Sequence, residues 1–196
     1  MTLQELFHVP RMGHVPEDDL KIMINYFHIN NVKGLYEMVQ MYFTPETEIV
    51  EVGSFQGVST MLFAMFAKKV YSVDSYDYVV PPTGRIPSHD QLFVDAEKVF
   101  IERTKDISNI VKIKKPSVEA ALDFKDESID IVYIDAEHDY NSVKNDVRAW
   151  KGKVKKGGLI SGHDWWLEHI ERIVKEEGLL NELRVYKDSS WSVVKQ

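Results

Sequence analysis

From Glu48 onward the chain alternates between two periodicities. Short apolar runs, Glu48–Val52, Val70–Asp74, Ile110–Lys114, Ile129–Asp135 and Gly158–Gly162, read as buried strands. Between them lie stretches with helical spacing, such as Phe93/Ala96/Phe100 and Val143/Val147/Trp150. A strand followed by a helix and another strand pairs in parallel through a right-handed crossover. The alternation therefore predicts an open α/β sheet, mostly parallel, doubly wound with helices on both faces. The end of the chain differs. "LRVYKDSSWSVVKQ" reads as two short strands around Asp188-Ser189-Ser190, an antiparallel hairpin closing one sheet edge.

Ahead of the alternation, Pro16 with Glu17, Asp18 and Asp19 predicts a helix start carrying Leu20, Met23, Ile24 and Phe27. Asn30-Asn31 is expected to break it. A second helix carries Leu35, Met38, Val39 and Tyr42 and stops at Thr44-Pro45. With 196 residues the chain reads as a single domain, a helical extension over 1–46 and an α/β core over 47–196. The one long irregular stretch, Asp77 to Gln91, is expected to be a lid or binding loop.

Composition removes several function classes. No apolar run approaches the about 18 residues of a membrane span, so no membrane partner is expected. The N-terminus lacks the basic start and apolar core of a signal peptide, and a cytoplasmic location is expected. There are no cysteines, hence no disulfides or thiolate metal sites. A formal charge of −7 without a Lys/Arg block argues against nucleic acid as a partner. A small-molecule acceptor is expected instead, and a homo-oligomer stays open.

The first strand runs into "EVGSFQGVST", and a helix follows. Its glycines, Gly53 and Gly57, give the spacing G-x-x-x-G. That is neither the dinucleotide fingerprint, whose second glycine position is Phe55, nor the phosphate loop, since no Lys follows Gly57. Asp74 ends the next strand, where an acid suits the two hydroxyls of a ribose. Turn and acid together point to a nucleoside without its phosphates.

These residues resemble motif I and the following acidic motif of class I S-adenosylmethionine-dependent methyltransferases. "IDIVYIDAEHDYNSVKNDVRAWKGKVKKGGLISGHDW" is similar to a subgroup with D-x-x-H-x-Y and GHD motifs, close to metal-dependent sugar and catechol-type O-methyltransferases. The resemblance implies a Rossmann-like fold with S-adenosyl-L-methionine as cofactor. It implies that Gly53 and Gly57 let the methionyl part approach the backbone, with Glu51 near its amino group. Ser54 and Ser59 would line the turn, Asp74 would take the ribose and Ser117 would contact adenine. Ser117 is also an ordinary N-cap residue.

Asp135 ends one apolar strand and Asp164 follows another, and strand ends near the switch point of an open sheet gather ligands. Two carboxylates with water or substrate oxygens suit Mg²⁺ or Mn²⁺. His163 stands where metal-dependent relatives often carry a second acid, and as a third ligand it would favour Mn²⁺, Fe²⁺ or Zn²⁺. A capping role for Asp164, with His163 merely packed, is the structural alternative. His138, three residues past Asp135, occupies the position that carries the general base in the similar enzymes. The expected activity is methyl transfer to a hydroxyl of a sugar or polyhydroxylated small molecule, with a divalent metal as aid. A metal-independent methyltransferase, a non-catalytic nucleoside-binding module and a nucleotide-dependent oxidoreductase are the alternatives.

Overall fold

A computed structural model describes residues 29–77 and 91–196. The helix expected over Leu20 to Phe27 and the loop residues 78–90 lie outside the described residues. The first described helix, α1, spans Ile29–Tyr42 and so includes Asn30-Asn31 rather than starting after them.

The strands are β1 (Glu48–Val52), β2 (Lys69–Asp74), β3 (Ile110–Lys114), β4 (Ile129–Ile134), β5 (Val154–Gly162), β6 (Arg184–Val185) and β7 (Trp191–Val194). Helices α2 (Val58–Phe66), α3 (Gln91–Val94), α4 (Ala96–Thr104), α5 (Ser117–Ala121), α6 (Tyr140–Lys151) and α7 (Glu168–Glu176) connect them. The strands form one sheet in the order β3-β2-β1-β4-β5-β7-β6. The first five are parallel, while β7 pairs antiparallel with both β5 and β6. This is the doubly wound, Rossmann-like sheet with a C-terminal antiparallel hairpin that the alternation implies. β5 starts earlier than its apolar pattern does, because its register shifts between the pairings of Ile129 and Ile131.

The period of two along each strand sorts the core into two layers. Val50, Val52, Val132 and Ile134 pack beneath Val143, Val147 and Trp150 of α6 and Ile170 and Ile173 of α7. Ile49, Ile131 and Tyr133 face the other way, against Met61, Leu62 and Met65 of α2 and Met38 of α1. Trp150 is wholly buried, and truncating such a side chain costs about 3–5 kcal/mol. The sheet order reverses between β1 and β4, so the segments leaving their carboxyl ends diverge and open a crevice.

Candidate active site

The turn after β1 is held by its glycines. Gly53 has φ +88°, and a Cβ there would lie 2.1 Å from the Asp135 carbonyl oxygen. Only a residue without a side chain lets the two strand ends approach so closely. Gly57, with φ +81°, precedes α2, and a Cβ on it would meet the Phe100 ring at 2.8 Å.

Asp74 ties this turn to β2. One carboxylate oxygen accepts the Phe55 backbone N–H at 2.8 Å, and the other accepts that of Tyr76 at 2.8 Å. Both donors sit at positive φ, so the carboxylate steadies two strained turns. Burial raises the Asp74 pKa, and the two amides oppose the rise. Each oxygen keeps acceptor capacity for a ligand hydroxyl.

Glu51 is placed differently from a cavity-lining acid. It is fully buried on the α2 side of β1, where the hydroxyls of Ser59 and Thr60 donate to its carboxyl group. Burial pushes its pKa up to about 7, although those two hydroxyls pull the other way. Ser59 and Ser54 line the cavity, whereas Glu51 lies behind them.

The ends of β4 and β5 are neighbours, with Ile134 opposite Gly162. Beyond them Asp135, His138 and Asp164 bring one ligand atom each within 4.8 Å of one another. His138 Nε2 lies 2.9 Å from Asp164 Oδ2 and 3.8 Å from Asp135 Oδ1. The carboxylates of Asp135 and Asp164 hold the His138 imidazole up to about 10 despite partial burial. His163 stands outside this trio, with Nδ1 3.0 Å from Asp164 Oδ1. Burial opposes its charge, but Asp164 and Asp135 raise its pKa to about 9. Burial would raise Asp164, yet the two imidazoles bring its carboxyl below the ordinary range. Asp164 itself has φ +61°, a left-handed turn that carries its side chain toward His138. It does not cap α7, which begins at Glu168 without a side-chain cap.

The glycine turn and two members of the trio, Asp135 and His138, share one cavity of about 620 Å³, whose lining also includes Gly53 and Asp74; Asp164, paired with His138, is not part of that lining. That volume suits a nucleoside-sized ligand. Among the described residues, the buried hydroxyls of Ser54 and Tyr76 face each other without a hydrogen bond of full geometry, and both residues line the cavity. Each keeps hydrogen-bonding capacity for a ligand's polar atoms. The donor set of two carboxylates and an imidazole fits a divalent ion with mixed O/N ligation. Ser117, also in the lining, is already engaged, because its hydroxyl accepts the Trp150 indole N–H at 2.9 Å. Tyr76 carried no sequence signal, since it precedes the irregular loop and follows no spacing rule.

A glycine turn tied to an acid-ended β2, an antiparallel last strand and a crevice at the switch point define a Rossmann-like domain of the methyltransferase type. A family model described as a methyltransferase domain matches residues 50–165. The chain belongs to that methyltransferase domain family. It is 30% identical over 145 residues to the uncharacterized protein R132 of Acanthamoeba polyphaga mimivirus, covering 71% of this chain and 59% of R132. The chain spans under two thirds of the curated relatives it matches, 59% of one and 13% of another. Among solved structures, the Streptococcus mutans protein SMU.1697c in complex with S-adenosylhomocysteine superposes with TM-score 0.59 at 13% identity, covering 83% of this chain and 95% of that one. An rRNA methylase from Streptococcus thermophilus gives TM-score 0.57 at 14% identity, covering 82% and 93%. Both likenesses are of fold. Among the described residues no helix is long and apolar enough to cross a membrane.

Proposed function

We propose that the chain transfers the methyl group of S-adenosylmethionine to a hydroxyl oxygen of a sugar or similar polyhydroxylated small molecule. One observation carries this reading: the nucleoside-type turn opens into the same cavity as Asp135 and His138, and Asp164 pairs with His138. Asp74 accepts the ribose hydroxyls, and the Gly53–Gly57 turn admits the methionyl end, with Ser54 and Ser59 along it. The sulfonium carbon is attacked in line, so the protein's task is positioning and deprotonation of the acceptor. Asp135 and Asp164 are the residues that would hold a divalent ion, with acceptor oxygens or water completing its shell. His138, which lines the cavity, takes the hydroxyl proton on Nε2 once such an ion engages Asp164, with which Nε2 otherwise pairs. Such an ion supplies positive charge that polarises acceptor oxygens and relieves the carboxylate field keeping His138 protonated.

A metal-independent transfer is the second reading, favoured by the 2.9 Å pairing of His138 with Asp164, which already compensates that carboxylate. Incubation with labelled S-adenosylmethionine and a panel of vicinal diols and matched mono-alcohols tests both. Transfer to a diol that stops with chelator and returns with Mg²⁺ or Mn²⁺ supports the first reading. Transfer undiminished by chelator supports the second, and transfer to none of the hydroxyl acceptors contradicts O-methylation.

A further inference from the structure

The proposed base acts from an irregular segment. β4 ends at Ile134 and α6 begins at Tyr140, so His138 lies in neither element, and its side chain is 62% exposed. The ends of that segment are fixed. The Asp135 N–H donates to the Val52 carbonyl at 2.8 Å, and the Asp139 carboxylate caps α6 by accepting the Asn141 and Ser142 amides. The His138 ring is held at Nε2 by Asp164, and Nε2 cannot take an acceptor's proton while that pairing lasts. Once it opens, the backbone decides where the ring stands.

α7 holds that backbone. His169 Nε2 lies 2.8 Å from the His138 carbonyl oxygen. A carbonyl only accepts, so the His169 imidazole carries a proton on Nε2 and donates it. Packing keeps the donor in this geometry. The His169 ring meets the Tyr140 ring edge-on, with centroids 6.5 Å apart. Tyr140 is pinned to α7 in turn. Its hydroxyl donates to Glu176 at 2.5 Å, and the Arg172 guanidinium lies 4.2 Å from its ring centroid. Asp164 and His169 belong to one short stretch of chain, which grips His138 both by its ring and by its backbone.

We infer that His169 is a positioning residue for the proposed base, orienting His138 through its carbonyl when Nε2 leaves Asp164 for the acceptor. The inference rests on the reading of His138 as the base. Fixing the peptide between His138 and Asp139 fixes the direction in which the imidazole leaves the chain. A reacting group displaced by about 1 Å loses on the order of 10²-fold in rate.

Turnover of His169→Leu, His169→Gln and His169→Asn tests this, with Mn²⁺ present and a vicinal diol that the wild type methylates as acceptor. Gln carries an amide N–H at about the reach of Nε2, whereas Asn carries one only at the reach of Nδ1. His169→Leu and His169→Asn should lose about 10- to 100-fold in kcat, with the KM for S-adenosylmethionine unchanged, and His169→Gln should recover most of it. Added to His138→Ala, His169→Leu should lower kcat no further, because its effect passes through His138. Without metal or ligand, amide hydrogen exchange over residues 136–140 should quicken in His169→Leu and His169→Asn while β1 keeps its protection. Should His169→Leu not fold, the contrast between His169→Gln and His169→Asn carries the test. Wild-type kcat in the folded His169→Leu and His169→Asn, where His138→Ala has lost its activity, overturns the positioning role and leaves the base reading standing. A further fall in the double variant, or unchanged exchange, also overturns it. Wild-type kcat in His138→Ala, or a wild type that methylates no diol, overturns the underlying reading and this assignment with it.

Discussion

The Asp74 carboxylate accepts the backbone N–H of Phe55 at 2.8 Å, joining the end of β2 to the glycine turn that leaves β1. The acid proposed to hold the ribose thus also shapes the turn proposed to hold the methionyl group. Asp74→Ala removes both functions. It leaves the Phe55 and Tyr76 amides without their partner, at a cost of roughly 1–3 kcal/mol. A lower melting temperature and weakened S-adenosylhomocysteine binding are both expected. Asp74→Asn keeps acceptor capacity on one oxygen, so its melting temperature should fall less. Calorimetry showing wild-type affinity in a folded Asp74→Ala variant would remove the ribose assignment.

Glu51 makes the ligand-free protein sensitive to pH. Its folded pKa is raised to about 7 by burial, so the native state holds its proton more tightly than the unfolded chain does. Its contribution is complete below the unfolded carboxylate range near pH 4.5 and is lost as pH rises through about 7. Glu51→Gln mimics the protonated form. Thermal melts should show the variant gaining on the wild type between pH 5 and pH 8. A parallel pH dependence in both proteins would mean that Glu51 stays charged in the fold.

His138 should behave in the opposite range. Its folded pKa of about 10 lies above the ordinary 6.5, so its ion pairing stabilises fully below pH 6.5 and is lost as pH rises through about 10. In chelator, melts of His138→Ala should lack the part of the alkaline decline that the wild type shows. In turnover, the same variant should lose about 10²- to 10⁴-fold in kcat with little change in cofactor affinity. Wild-type kcat at every pH where chemistry limits the rate would show that His138 is not the base.

Removing either acid tests the metal. Asp135→Ala and Asp164→Ala should each abolish Mn²⁺ binding measured by calorimetry, while S-adenosylhomocysteine still binds. His163→Ala should retain Mn²⁺, because Asp135 and Asp164 come together in a group that does not include His163. Loss of Mn²⁺ in His163→Ala, with binding kept in His138→Ala, would restore His163 as the third ligand.

Much of this was legible in the sequence because strand patterns are local. The alternation gave the parallel sheet, and Asp74, Asp135 and Asp164 followed as residues at or just beyond strand ends. Legibility failed where direction depends on tertiary backbone. Whether His138 or His163 joins the acids turns on the positive φ of Asp164, which no spacing encodes. Glu51 sits in motif I, but the period of two sends its side chain beneath the turn toward α2 rather than into the cavity. Ser117 fits the adenine position by motif. Its engagement by Trp150, 33 residues away, emerges only when α5 packs on α6.

The central claim is that the cavity takes an S-adenosyl ligand, and calorimetric titration of the wild type with S-adenosylhomocysteine, with NAD as the comparison, tests it most directly. The account predicts saturable binding of S-adenosylhomocysteine and a raised melting temperature in its presence, with NAD at equal concentration doing neither. Binding of NAD without binding of S-adenosylhomocysteine would contradict it.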